Sequence, residues 1–351
     1  MQGPAQRQTW SDVGKGCGII AVAATHILLH DPAVDPGVVR STLGLTSIPA
    51  FFALAGLMFK PRPPMQLAMR RVRSMLGPYV AFLCLVMSGV LARDFVLGGN
   101  SLPSLEQFLW GGAILKGDFG TFWFLTSLLF TQIAYNALAF RYPDPAGPVP
   151  VSIVAAILLV GTAILHIFPG LSLPWSLETL PFTIPLFWFG HLLQRERAHA
   201  RWIGLAMIAV IGAAIVALLF GQVFRIGIKG GFVSPPVLGL LFGMVMARLA
   251  VLAYRGIAKI PLLAPALSNV GQASLVILCL HQFIHFSLRR VGVETSWILL
   301  FFSCALPYLA WRIFGRFTWV KIVFLGGRPS PAAGDPGKPA QPLGTPATAT
   351  K

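Results

Sequence analysis

Residues 13–29 read VGKGCGIIAVAATHILL, an apolar run with one cation near its start and one imidazole near its end. Such a run is long and apolar enough to enter a bilayer as a helix. On an α-helix the step from Lys15 to His26 is about three turns, so the two side chains share one face roughly 16 Å apart along the axis. With Lys15 at the headgroup boundary, His26 reaches near the centre of a ~30 Å hydrocarbon core. An ionisable side chain at that depth points to function. The run ends in His26, Leu28 and His30 without an A-x-A-like site, so it is expected to be retained rather than cleaved as a signal sequence.

The rest of the chain has the same character. Of 351 residues, 56% are apolar and only 11% charged, and the mean hydropathy of +0.75 excludes a soluble domain. Long apolar runs predict about ten spans, at 13–29, 43–59, 75–92, 119–140, 149–168, 175–193, 202–220, 233–254, 273–288 and 296–311. The expected fold class is therefore all-α, a polytopic integral membrane bundle of about ten transmembrane helices.

Basic residues cluster on alternate connections, which orients the bundle. With the N-terminus inside, the inner segments hold Lys15, Lys60, Arg62, Arg70, Arg71, Arg73, Arg141, Arg195, Arg255 and Lys259 among others. The outer ones hold Arg40, Arg93, Lys116, Arg225, Lys229, Arg289 and Arg290. Most acids lie outside, so the formal charge of +16 sits almost wholly on the inner face and both termini are expected to be cytoplasmic. That pattern implies anionic membrane lipids as partners and argues against nucleic acid. Residues 1–325 read as one transmembrane unit, and residues 326–351, rich in Pro, Gly and Ala, as a disordered cytoplasmic tail. Cys17, Cys84, Cys279 and Cys304 lie in or beside apolar runs without metal-ligand spacing, so a disulfide framework is not expected.

Candidate chemistry gathers at few positions. Ser11 or Asp12 can cap the first helix, and Asp12 can pair with Lys15 three residues on. A capped entrance with a snorkelling lysine accounts for that pair by itself, but not for His26. After the second span, Lys60, Arg62, Arg70, Arg71 and Arg73 crowd one inner loop. Positive-inside anchoring explains any one of them. The Arg70-x-x-Arg73 spacing, in addition, sets two guanidinium forks on one face of a helical turn, suited to phosphate oxygens. His281 and His285 share one face of the ninth span, where a hydrogen bond between helices competes with a role at the site. This pair lacks a third ligand and H-E-x-x-H is absent, so no metal site is expected. Trp123 opens the fourth span as an interface aromatic or an acceptor contact.

In these residues the chain resembles bacterial membrane acyltransferases of the type 3 family, most closely the fucose 4-O-acetylase-like branch. The resemblance rests on Asp12-Val13-Gly14-Lys15-Gly16 with Lys15-x10-His26, on Pro49-Ala50-Phe51-Phe52-Ala53-Leu54-Ala55-Gly56, and on Arg70-x-x-Arg73 before Pro78-Tyr79. Trp123-Phe124-Leu125 and the run from Ser274 to His281 support it. Ala55 stands where the family commonly has serine, Ser47-Ile48-Pro49 lacks a histidine often seen there, and Lys15 replaces the arginine of the broader family. The departures touch acceptor recognition more than chemistry.

The resemblance implies transfer of an acyl group, usually acetyl, from cytosolic acyl-coenzyme A to a hydroxyl of a cell-surface saccharide, in the bacterial inner membrane. Acetyl-CoA, or another acyl-CoA, is then a donor substrate and no cofactor is bound tightly. Lys15, Arg70 and Arg73 are the expected donor contacts, His26 the general base, and His281 a second catalytic group for the oxyanion or the sugar. Asp12 and Trp123 are the expected substrate contacts. Two other classes share parts of the pattern: a transporter or flippase for a saccharide or anionic substrate, with His26 and His281 as proton relays, and a catalytically silent scaffold of the same fold.

Overall fold

A computed structural model describes residues 9–327. Helix α1 (Thr9–Leu28) is followed by α2 (Pro36–Leu57), where Asp35 accepts the Gly37 amide at 2.7 Å and Pro36 supplies the first-turn φ. Then come α3 (Pro64–Arg71), a π-helical turn over Val72–Leu76, and α4 (Gly77–Leu97), which stops at Gly98 with φ of 74°. A short α5 (Leu105–Trp110) opens on a Ser104–Gln107 capping box. Beyond two 3₁₀ turns lie α6 (Phe122–Arg141), α7 (Pro148–Ile167), α8 (Leu180–Leu193) and α9 (Glu196–Leu219). Strands β1 (Arg225–Gly227) and β2 (Phe232–Ser234) form an antiparallel hairpin that pairs Ile226 with Val233. The chain continues through α10 (Leu238–Ile257), α11 (Leu263–Gln272), α12 (Ser274–Arg290), α13 (Ser296–Phe314) and α14 (Thr318–Leu325).

Each of the ten predicted segments falls on one of these helices. Among the described residues, seven helical stretches are long and apolar enough to cross a membrane, and α11 with α12, bent by 76° at Ala273, makes up to eight. The other two segments correspond to α1, which carries Asp12 and Lys15, and α8, which has 14 residues. The helical expectation holds apart from the hairpin. It replaces the first turn of the segment expected at 233–254, because Phe232-Val233-Ser234 pairs with Arg225-Ile226-Gly227 across a turn closed by Gly231 at φ 65°. Of the expected tail, residues 328–351 lie outside the described residues.

Burial separates inner from outer helices. Two thirds of the α6 span is buried (67%) and half that of α2, against 11% for α9 and 17% for α13, so α9 and α13 are the lipid-facing staves. At the centre, Phe51 and Phe52 of α2 meet Phe124 of α6 edge to face or tilted, at 5.7 and 5.1 Å between centroids. Two helix pairs approach to backbone contact through glycines. Gly16 of α1 lies against the Leu267 carbonyl and Gly271 of α11 against that of Asp12, while Gly56 of α2 lies against the Phe187 carbonyl and Gly190 of α8 against that of Ala53. A Cβ at any of these four positions would run into main chain.

Candidate active site

Between α1, α2, α6, α12 and the hairpin lies a cavity of about 540 Å³. Its wall is mostly apolar, from Ile19, Val22, Phe51, Leu54, Phe124 and Leu278, with a few polar groups set into it: Lys15, His26, Arg40, Ser47, Thr121 and Lys229. An apolar pocket with few convergent polar groups is the usual form of a small-molecule site. Because α1 is regular between Lys15 and His26, the expected shared face is present, with Ile19 and Val22 between them on the same wall.

The remaining expected site residues divide. Trp123, at the start of α6, is buried and lines the cavity. Asp12 is buried beside the cavity and accepts a hydrogen bond from Lys15 Nζ at 3.1 Å, so the pair expected at that spacing is formed. His281 does not line the cavity. It lies behind His26, with 5.4 Å between ring centroids. Arg70 and Arg73 are exposed, and the next two residues, Ser74 and Met75, reach the cavity wall. Arg70 lies in the last turn of α3 and Arg73 is the second residue of the π turn, whose i→i+5 bonding differs from that of a regular α turn. Arg71, between them, is the more enclosed and its Nε has no hydrogen-bond partner.

Imidazole geometry around His26 is specific. Gln282, next to His281 on α12, brings its side-chain amide 2.9 Å from His26 Nδ1. A glutamine amide can meet Nδ1 with either end, donating from Nε2 or accepting at Oε1. His281 Nδ1 donates to the Ile277 carbonyl at 2.8 Å, which leaves its enclosed Nε2 as an unprotonated acceptor with no partner. His285 follows one turn later, fully buried with both ring nitrogens unpartnered, and its ring lies 5.6 Å from His30. His30 in turn donates from Nδ1 to the His26 carbonyl at 2.7 Å. His26 of α1 and His30 of the turn after it thus face His281 and His285 of α12.

Sequence reasoning missed two participants. Gln282 carried no motif beyond its place next to His281. Lys229 was counted only as an outer cation, although its setting, Gly227-Ile228-Lys229-Gly230-Gly231, is a glycine-rich turn within an apolar stretch. The hairpin holds Lys229 at the cavity wall, where Nζ donates to the Leu115 and Gly120 carbonyls at 2.6 and 2.8 Å. One of its three donors remains. Burial pushes this ammonium down to about 8, and the charge of Lys116 adds to the effect. Among the described residues, no group of three or more His, Cys, Asp or Glu side chains is placed to hold a metal ion.

The bundle of apolar helices defines a multi-pass helical membrane protein, with a cavity among the helices that His26 lines. The profile of the type 3 acyltransferase family, described as an acyltransferase domain, matches residues 8–316, and the chain belongs to that family. No curated protein and no solved structure matches it significantly.

Proposed function

We propose that the protein moves an acyl group, most simply acetyl, from cytosolic acyl-coenzyme A to a hydroxyl of a cell-surface saccharide, as in the fucose 4-O-acetylase-like branch of the family. The observation that carries this reading is that Lys15 and His26 line one continuous cavity, one at each end of an apolar wall. An extended thioester arm needs that arrangement: a cation for the phosphates at the mouth and a base at the depth where the thioester lies. In this reading Lys15, with Arg70 and Arg73 beside the Ser74–Met75 edge of the cavity, receives the nucleotide end.

The reaction then runs on this chain's own groups. The acceptor oxygen attacks the thioester carbonyl carbon while His26 Nε2 takes its proton, a role that requires Nδ1–H to donate to Gln282 Oε1. The C–S bond breaks and the departing thiolate is protonated. His281, whose Nε2 is an acceptor, suits relay of the proton better than donation to an oxyanion. The free N–H of Lys229 suits the oxyanion. The ester product and free coenzyme A balance the step.

Ten membrane-crossing helices, cytoplasmic termini and a bacterial inner-membrane location complete the proposal. Its support is that Arg195, Arg255 and Lys259 gather with Thr9 and Trp10 at one end of the bundle, while His30 and Ser296 share the other. A transporter would draw on the bend at Ala273, a broken helix of the sort that forms ion and substrate sites. Family membership favours transfer. The deciding experiment is mass spectrometry of surface saccharides from cells with and without the protein. Loss of an acetyl increment supports the proposal, loss of a succinyl increment changes the donor, and unchanged saccharides refute it.

A further inference from the structure

The outer end of the bundle, as oriented above, holds a second recess of about 610 Å³, separate from the cavity. Lys116, Arg93, Arg289 and Arg290 line it together with Asn100, Ser101 and Gln107. The positive-inside rule leaves few cations on this face, yet four of the seven assigned to it by sequence meet here.

Nearby carboxylates balance them only in part. Asp118 is taken by Arg93 through two hydrogen bonds of 2.7 and 3.0 Å, and Asp94 by the same guanidinium and the Ser101 amide. Asp31 is held by Ser296 and by the Ala33 amide at 2.9 Å and offsets part of the Arg289 charge without an ion pair. Among the described residues, Lys116, Arg289 and Arg290 form no ion pair. Arg290 is oriented by the Gly98 carbonyl and Ser101 Oγ at 3.0 and 2.9 Å, and the enclosed Nε of Arg289 has no hydrogen-bond partner. A guanidinium with unused donors next to two further cations is a setting for an oxyanion.

The recess is also tied to the cavity. Its wall residue Phe286 stacks on His285 at 4.8 Å and meets His30 at 5.4 Å. Its lining residues Lys116, Gly117 and Asp118 lie between the Leu115 and Gly120 carbonyls that Lys229 holds. An occupant is thus one layer of side chains from the imidazoles behind His26.

We infer that this recess binds an anionic oxygen group, a phosphate or carboxylate, carried by the acceptor. The inference deepens the acyltransferase reading and rests on it: the acceptor saccharide is anionic, or is linked to a lipid through phosphate. Both sources present the same chemistry to Lys116, Arg289 and Arg290.

Equilibrium binding of radiolabelled inorganic phosphate to the full chain in neutral detergent tests it without requiring turnover, so a failed transfer assay and a failed binding assay remain distinct. The double variant Lys116→Gln with Arg289→Gln is expected to weaken binding about tenfold or more, the scale of lost hydrogen bonds to charged groups. Arg289→Lys should recover part of it, and Arg62→Gln, at the opposite end, none of the loss. If the double variant does not fold, Lys116→Gln alone, at an exposed position, is expected to weaken binding several-fold. Native mass spectrometry from phosphatidylglycerol against phosphatidylcholine nanodiscs separates the sources. Phosphatidylglycerol retained by the wild type and lost by the double variant identifies a lipid phosphate, and phosphate binding without lipid retention identifies a soluble anion. Unchanged phosphate affinity in the double variant, or equal weakening by Arg62→Gln, overturns the proposal.

Discussion

His26→Ala and Gln282→Leu form a graded pair that tests the base assignment. His26→Ala removes the only imidazole among the described residues that lines the cavity. Loss of a general base costs about 10² to 10⁴ in turnover. Gln282→Leu leaves the imidazole but removes the 2.9 Å bond to Nδ1. A net hydrogen bond contributes about 0.5–1.5 kcal/mol, so releasing the tautomer should lower turnover by only about two- to twelvefold. Gln282→Glu, which accepts from Nδ1–H with either oxygen, should keep more activity than the leucine variant. The assay is acylation of surface saccharide per molecule of membrane protein, with abundance matched by immunoblot, because a lost interhelical bond can lower abundance and imitate lost chemistry. Near-normal turnover per molecule in His26→Ala would refute the base role and make the structural or transporter reading the better one. A glutamate variant as poor as the leucine variant would refute the tautomer argument alone.

At the donor end, Lys15→Ala, Arg70→Glu and Arg73→Glu should raise the KM for acyl-coenzyme A with little change in kcat, and Lys15→Arg should keep part of the affinity because its charge survives. The comparator is the exposed Arg62, because Arg71 is enclosed and its reversal would disturb packing; an equal effect of Arg62→Glu would reduce the loop to an electrostatic anchor. For topology, a cysteine in place of Gln66, on a background without native thiols, should resist an impermeant reagent applied from outside, and labelling there would reverse the orientation. Lys229 titrates near 8 when folded against 10.5 ordinarily. Between those values the unfolded chain binds the extra proton, so stability contributed at this site rises with pH. The melting temperature of wild type relative to Lys229→Met should therefore rise from pH 7.5 to 10, and a fall would refute the buried-ammonium assignment.

The helices were legible because apolar runs of membrane length leave few alternatives, and the Lys15–His26 face because helical periodicity alone sets it. What escaped prediction depends on contacts between distant parts. The hairpin has three-residue strands and pairs only across a glycine turn, too short for an alternation pattern to register. The π turn that contains Arg73 leaves no mark in a spacing rule built on regular turns. Gln282 matters only because α12 packs beside α1, which nothing near either residue announces. The outer basic recess was present in the sequence as scattered exceptions to charge asymmetry, and only their convergence gives those exceptions a meaning.

The glycine contacts bear on how such a chain is assembled. Two of the helices that do not meet the length and apolarity of a membrane span by themselves, α1 and α8, are each fastened to a neighbour by reciprocal glycines. A helix of that kind gains its place in the bilayer from close packing with a partner already there. For α8 the partner, α2, has been synthesised long before. For α1 it is α11, nearly at the far end of the chain. The glycine contact of the helix that bears Lys15 and His26 is therefore made with one of the last helices of the chain, while its packing on α2 involves the very next one.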